Sequence, residues 1–540
     1  MTVLSTSSDA SGFYDASPLL SSVRALSADM PGDAREFIAN QLALLVRDYY
    51  VHLPLKRSSL GIDPVQSANL LVDDVPFIPT DSEFFRRMFG VLKPLRDRHT
   101  ALRLASPWRD MVAYLPFAVE SYYDATGRHV VVSKIMADIG EPSFVEGVEL
   151  THWNGTPIGR FVEGLSWTNE GAHPFSRIAI ALRSLTVRPL GYVSPPDEDW
   201  VNLTFQSLDG AYHSTVIPWR AYFPSAGSAA ASANSDASGA GIIAQGLDRN
   251  TLIVNNTWYD LYASRQTRAG APAAPAPTLD GNVRFKSVRT PSGEWGYIRI
   301  YSFDAADPAM FVRGFADILR QIPQEGVIID VRSNPGGAIP AGEGLLWLFT
   351  DSDVSPAQVS FRNSQAIRRL GNLNEFAQWK RSLDMLYETG EAFTQGFAVT
   401  LPPPNGQAVY RGEVVLIIDA LCYSTTDFFA AGMQDNGLAT IIGVDPVTGA
   451  GGANVWNQAT LSQFVAQAGG SDITAMPSNI DFDVSLRRAI RVGPNAGLPI
   501  EGLGVFADQI YYLTRNDVLG ENSDLINFAG SVLAGLRAQR

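Results

Sequence analysis

The second half of this sequence predicts an α/β fold with a largely parallel sheet, on three observations. After Gly281, apolar runs of strand length alternate with amphipathic stretches of helix length. Two of the runs, residues 327–331 and 414–418, are almost wholly Val, Ile and Leu, the pattern of strands buried on both faces. Each is followed by a turn rich in small or polar residues, Asn334-Pro335-Gly336-Gly337 after the first and the segment containing Ser424 after the second.

The elements follow in order. Residues 34–51 carry apolar side chains at helical spacing, and Asp81-Ser82-Glu83 opens a second helix through Phe84, Phe85, Met88 and Phe89 that stops near Pro94. From 111 to 223 the pattern reads as alternating strands with turn punctuation. Its clearest piece is residues 144–158, where Asn154-Gly155 is a two-residue hairpin turn. Residues 224–241 are a run of Ala, Ser and Gly too small to offset ordering entropy, which predicts a mobile surface loop and the place to look for an activating cut. An Ala/Pro tract at 269–277 reads as a linker, with an ordered excursion around Trp258 and Tyr259 between the two. Strands are then expected at 295–301, 327–331, 414–418 and 440–444, and helices at 308–322, from 342 and from Ser424. The implied organisation is a helical region at 1–108, a β-rich domain at 109–223, a loop and linker at 224–281 and the α/β core at 282–540.

Composition narrows the function. The chain has 540 residues, 46% hydrophobic and 18% charged, which describes an ordinary globular protein of several domains. A net charge of -14 argues against nucleic acid and anionic lipid as partners. The single cysteine, Cys422, excludes an intrachain disulfide and a cysteine-based zinc cluster, and its apolar setting reads as a buried structural thiol. No apolar stretch has the length of a membrane span. The first residues lack a basic n-region and an apolar h-region, which points to the cytoplasm; a processed or unconventionally exported chain would read the same way.

Ser424 is the leading chemical candidate. An apolar strand ends and a helix begins at this serine, so backbone N–H groups and the helix dipole can face a developing oxyanion. Ser424-x-x-Asp427 is also a capping box, the commoner use of such a serine. The glycines of Asn334-Pro335-Gly336-Gly337 can take positive φ and present bare N–H groups, making Gly336 or Gly337 an oxyanion donor beside Thr425. All six histidines lie in the first half and the last lysine is Lys380, so a base must fold back from far upstream. His99, after Asp97 in a short polar turn, stands out; His152, beside Trp153 in a strand, reads as packing. There is no G-x-S-x-G elbow, no H-E-x-x-H zinc motif and no Walker phosphate loop.

Together these residues resemble the tricorn and carboxyl-terminal-processing serine peptidases, whose core is ClpP/crotonase-like. The resemblance rests on Asp97-Arg98-His99-Thr100, on Asn334-Pro335-Gly336-Gly337, on the motif from Ser424 to Gln434-Asp435, and on the segment from Pro499 to Asp508. The branch with a histidine base, typified by the chlamydial protease-like activity factor, is the nearest. The resemblance implies an inserted PDZ-like domain around Asn154-Gly155. It also implies a triad of Ser424, His99 and Glu501 with an oxyanion hole of Gly336, Gly337 and Thr425. Its expected activity is peptide-bond hydrolysis on protein or peptide substrates with no cofactor or metal, and a homodimer is one assembly it allows. The lysine of the carboxyl-terminal-processing branch is replaced by the loop from Val447 to Gly452. Phe506-Ala507 departs from the final motif, which leaves Asp481 and Asp483 as alternatives to Glu501. A catalytically silent relative acting as an apolar-ligand carrier, or as a peptide-binding scaffold, is the competing reading.

Overall fold

Six strands form the sheet on which the rest is built. Their order is Val283–Thr290, Gly293–Ile300, Gly326–Asp330, Glu413–Ile418, Thr440–Gly443 and Gln509–Ile510. The first pair is an antiparallel hairpin and every later pairing is parallel. Gly326–Asp330 is buried along its whole length and Glu413–Ile418 from Val414 onward, as their aliphatic runs require. The computed structural model describes residues 17–23, 30–224, 245–268, 279, 281–402, 408–477 and 480–539. Most of the low-complexity stretch and the Ala/Pro tract, read above as loop and linker, lie outside those residues.

One face of this sheet packs on helix Ser523–Ala538 through Leu525, Ala529 and Leu533. The other face holds helices Pro308–Leu319 and Thr425–Asp435 and opens into the largest core of the protein. That core takes in the N-terminal helices Gly32–Leu44, Pro64–Asp74 and Asp81–Leu92, whose Ile38, Leu42, Phe84 and Met88 belong to one apolar cluster with Ile298, Val327 and Phe429. The helical region thus shares one core with the parallel sheet. A second sheet explains how it is tied in. Strand Ala101–Arg103 pairs antiparallel with Asp481–Ile490, which also pairs with Gln358–Phe361 and Ala453–Asn457.

A separate core lies under the antiparallel sheet built from Phe117–Asp124, Gly127–Ile135, Glu149–Trp153, Thr156–Pro157, Trp200–Gln206 and Tyr212–Pro218. Asn154 and Gly155 both have positive φ (48° and 77°), as the hairpin signal predicts. The region is not all strand, however. Helices Ile158–Ser166 and Pro174–Ser184 interrupt it, the second capped by the His173 side chain, which accepts from the Ser176 N–H at 3.2 Å. Both are short and amphipathic, so frequent turn residues on either side masked their period.

Helix Arg249–Arg268, the ordered excursion expected around Trp258, packs Leu252, Ile253, Val254 and Leu261 into this second core. The helix expected from 342 begins earlier, at Ile339–Glu343 with Pro340 in its first turn, and gives way to a 3-10 turn at Leu346–Leu348. Among the described residues no helix is long and apolar enough to cross a membrane.

Candidate active site

Strand Glu413–Ile418 delivers the chain to Ser424, which caps helix Thr425–Asp435. Ser424 has φ 65° and ψ −121°, a conformation that costs a non-glycine residue about 1–3 kcal/mol. Asp427 holds it there. One carboxylate oxygen accepts from the Ser424 N–H and the Gly451 N–H, both at 2.8 Å; the other accepts from Thr448 Oγ1 at 2.5 Å and the Ala450 N–H at 3.2 Å. Four donors converge on one buried acid, tying the nucleophile's turn to the Val447–Gly452 loop. Burial nonetheless pushes the Asp427 carboxyl up to about 6.

His99 arrives from the opposite end of the chain. Its Nε2 lies 2.7 Å from Ser424 Oγ, and both residues are buried. The imidazole packs against the Tyr423 ring, centroids 4.6 Å apart, while the Tyr423 hydroxyl accepts from the Arg98 N–H at 3.1 Å. Burial lowers the imidazole to about 4, opposed by the charge of Asp97, so the ring is neutral at physiological pH and able to accept a proton.

Glu501 is brought to the same region, but its bonds go elsewhere. One oxygen meets Lys56 Nζ at 2.6 Å; the other accepts from the Gly452 N–H at 3.3 Å and stands 3.8 Å from His52 Nε2. Burial pushes the Glu501 carboxyl up while the Lys56 ammonium beside it pulls it back down, and burial lowers His52 to about 3. Asp481 pairs with Arg103 at 3.0 Å, and Asp483 sits opposite Ala101 in the strand register. His52, Asp97 and Glu501 place donor atoms within 4.8 Å of one another. With the Lys56 ammonium already on Glu501, the cluster reads as an ionic network rather than a metal centre. Neither Lys56 nor His52 carries a sequence signal: Lys56 lies in the short helix Leu53–Leu60 and His52 in the turn just before it, and both gain meaning only through the fold.

The glycine turn closes the third side. Gly336 and Gly337 have φ of 96° and 145°. A Cβ on Gly336 would stand 2.7 Å from Ser424 Cβ and 2.9 Å from the Thr425 nitrogen, so only bare backbone fits beside the nucleophile. The Gly336 N–H donates to Asn334 Oδ1 at 2.9 Å, and the Gly337 carbonyl accepts from Thr425 Oγ1 at 2.8 Å. Across this turn lies a segment of the chain itself. Strand Gln245–Leu247 pairs antiparallel with Gly336–Ala338, Gly246 opposite Gly337, and the Gly246 carbonyl accepts from Thr425 Oγ1 at 3.2 Å. Arg98 fastens the segment through an ion pair with Asp248 and a hydrogen bond to Thr251. Cys422, fully buried with its thiol pushed well up by burial, donates to the Val331 carbonyl at 3.0 Å and is structural, as expected.

Fold and site together define an α/β protein with a serine–histidine pair at the carboxyl ends of its parallel strands. Residues 294–473 match the model of peptidase family S41, and the chain is a serine-type peptidase carrying a domain of that family. The Chlamydia pneumoniae protein CPj1016/CpB1054 is 22% identical over 528 residues, covering 80% of this chain and 81% of its own. The structure of mature CPAF complexed with lactacystin has a TM-score of 0.64 at 18% identity, covering 94% of this chain and 99% of that one. Mature CPAF alone gives the same TM-score and identity over 93% and 97%. At such identities the likeness establishes the fold.

Proposed function

We propose that the chain is an endopeptidase in which Ser424 attacks the scissile carbonyl and His99 takes the serine proton and returns it to the leaving amine. The observation that carries this reading is the 2.7 Å approach of His99 Nε2 to Ser424 Oγ at the start of a helix. The Thr425 N–H and the Gly336–Gly337 turn are the oxyanion donors in this reading. Removal of one such donor typically costs about 3–4 kcal/mol of transition-state stabilisation. The acid of the expected triad, Glu501, belongs to the buried network behind His99.

Substrate engagement has a second support. A cleft of about 820 Å³ lies between strand Phe117–Asp124, helices Pro174–Ser184 and Arg249–Arg268, and the carboxyl ends of the parallel strands; Ser333, Asp419 and Leu421 line it, while Ser424 and His99 lie outside it. Phe117–Asp124 is the edge of its sheet, so a peptide can add to it as a further strand, the PDZ-like role expected of this domain. The covering strand Gln245–Leu247 is the observation that favours the alternative, a silent carrier or scaffold.

Intact-mass labelling with a fluorophosphonate separates the two, applied to the whole chain before and after limited proteolysis. The peptidase reading expects one adduct, absent from Ser424→Ala and His99→Ala. No adduct on folded protein in either state would leave the silent relative.

A further inference from the structure

We propose that Asp97, not Glu501, is the carboxylate that positions His99 and selects its tautomer, a role that rests on His99 being the base. Glu501 is already answered by a cation: the 2.6 Å contact with Lys56 makes a pair of no net charge, buried and backed by the Gly452 N–H. Asp97 has no such counterion within bonding distance among the described residues. Its Oδ1 accepts from the His99 N–H at 2.9 Å, and its Oδ2 accepts from Thr100 Oγ1 and Ser485 Oγ, each at 2.9 Å. Every one of these partners is a neutral donor. Three such bonds keep a buried acid ionised without cancelling its charge. Burial opposes that ionisation, yet the neighbouring His52, Lys56 and His99 and the His99 N–H together hold the Asp97 carboxyl below its ordinary value.

The geometry gives the charge a direction. His99 Nε2 is committed to Ser424, and Nδ1, the ring nitrogen nearer the backbone that Asp97 grips, is buried with no hydrogen-bond partner among the described residues. A negative charge on that side favours the tautomer with its proton on Nδ1 and leaves Nε2 free to accept from Ser424. The titratable and charged groups around the imidazole are Asp97 and Arg98 on its own turn, Tyr423 beside it, Tyr50, His52, Lys56 and Glu501 from the elements behind, and Glu170, Asp248, Arg249 and Asp483 around the small pocket it shares with them. The Arg98 charge is drawn off to Asp248, and the Lys56 charge to Glu501. Of the charges acting on the ring, that of Asp97 is the strongest, ahead of Arg98.

The test is the ¹⁵N spectrum of the histidine ring at neutral pH in the full-length chain, with the His99 resonances identified by their loss in His99→Gln. Wild type is expected to show the Nδ1–H tautomer. Asp97→Asn, which keeps the shape and an acceptor oxygen, is expected to move the population toward Nε2–H. It should also slow phosphonylation of Ser424 by the fluorophosphonate, in which the serine oxygen displaces fluoride at phosphorus, by about 100-fold or more. The double variant Lys56→Met/Glu501→Gln, which removes the neutral pair at similar volume, is expected to keep Nδ1–H. Loss of Nδ1–H in the double variant, or its retention in Asp97→Asn, overturns the assignment. If Asp97→Asn does not fold, the double variant decides alone. A wild-type ring in the Nε2–H form, with no adduct at Ser424, would instead refute His99 as the base.

Discussion

Gly246 lies against Ser424 so closely that a Cβ at Gly246 would stand 2.5 Å from the serine hydroxyl. The chain thus covers its own nucleophile with a strand that is tolerated only because this residue has no side chain. Gly246→Val is therefore expected to expel Gln245–Leu247 from the edge of Gly336–Ala338 while leaving the two cores intact. Fluorophosphonate labelling of the uncut chain should rise at least tenfold, a conservative expectation for freeing a blocked group. Unchanged labelling with an unchanged melting temperature would mean the strand does not limit access.

Asp427 can accept four hydrogen bonds only as a carboxylate. Asp427→Asn puts an amide N–H₂ against two of those donors, which leaves buried N–H or O–H groups unpaired at about 1–3 kcal/mol each. Chemical denaturation should show a loss of about 3 kcal/mol, and fluorophosphonate labelling of Ser424 should fall with it because the serine's strained turn loses its anchor. A stable variant with normal labelling would contradict this account.

Glu343 is buried, accepts from the Ala357 N–H at 3.0 Å and from Thr400 Oγ1 at 2.5 Å, and has its carboxyl raised to about 8 by burial. A raised acid holds its proton in the folded state where the unfolded chain has lost it. Its stabilising contribution is present below the unfolded value near 4.5 and disappears as pH climbs toward 8. Glu343→Gln should flatten the fall in stability across that window, with its advantage over wild type growing toward pH 8. Parallel stability–pH curves would refute the buried-acid argument.

The two buried histidines set the acid limb. His99 and His52 fall from 6.5 to about 4 and about 3 on burial, so the unfolded chain takes up protons that the folded chain refuses. Stability contributed by both is present above 6.5 and is lost as pH drops through that range. Replacing His52 with Gln should relieve its share of the loss, measured as melting temperature between pH 7 and 4.

The strand-to-helix turn at Ser424 and the glycine turn at Gly336 were legible because each is local: an apolar strand, a punctuation, a helix cap. His99 was legible because a polar Asp-Arg-His-Thr turn interrupts an otherwise apolar region. What the sequence concealed is set by distance. Lys56 meets Glu501 across 445 positions and Gly246 meets Ser424 across 178, separations over which no periodicity carries information. The core shared by the first ninety residues and the parallel sheet was hidden likewise, since an amphipathic helix announces an apolar face but not the surface it will cover.

The pairing of Ala101–Arg103 with Asp481–Ile490 has a consequence for biosynthesis. A ribosome adding about 5–20 residues per second releases the His99 turn roughly 20–80 seconds before the strand that must clamp it exists. Throughout that interval the nascent chain carries a histidine and, later, a serine with no means of holding them together. The His99 turn gains its partner strand only after residues 481–490 have been made.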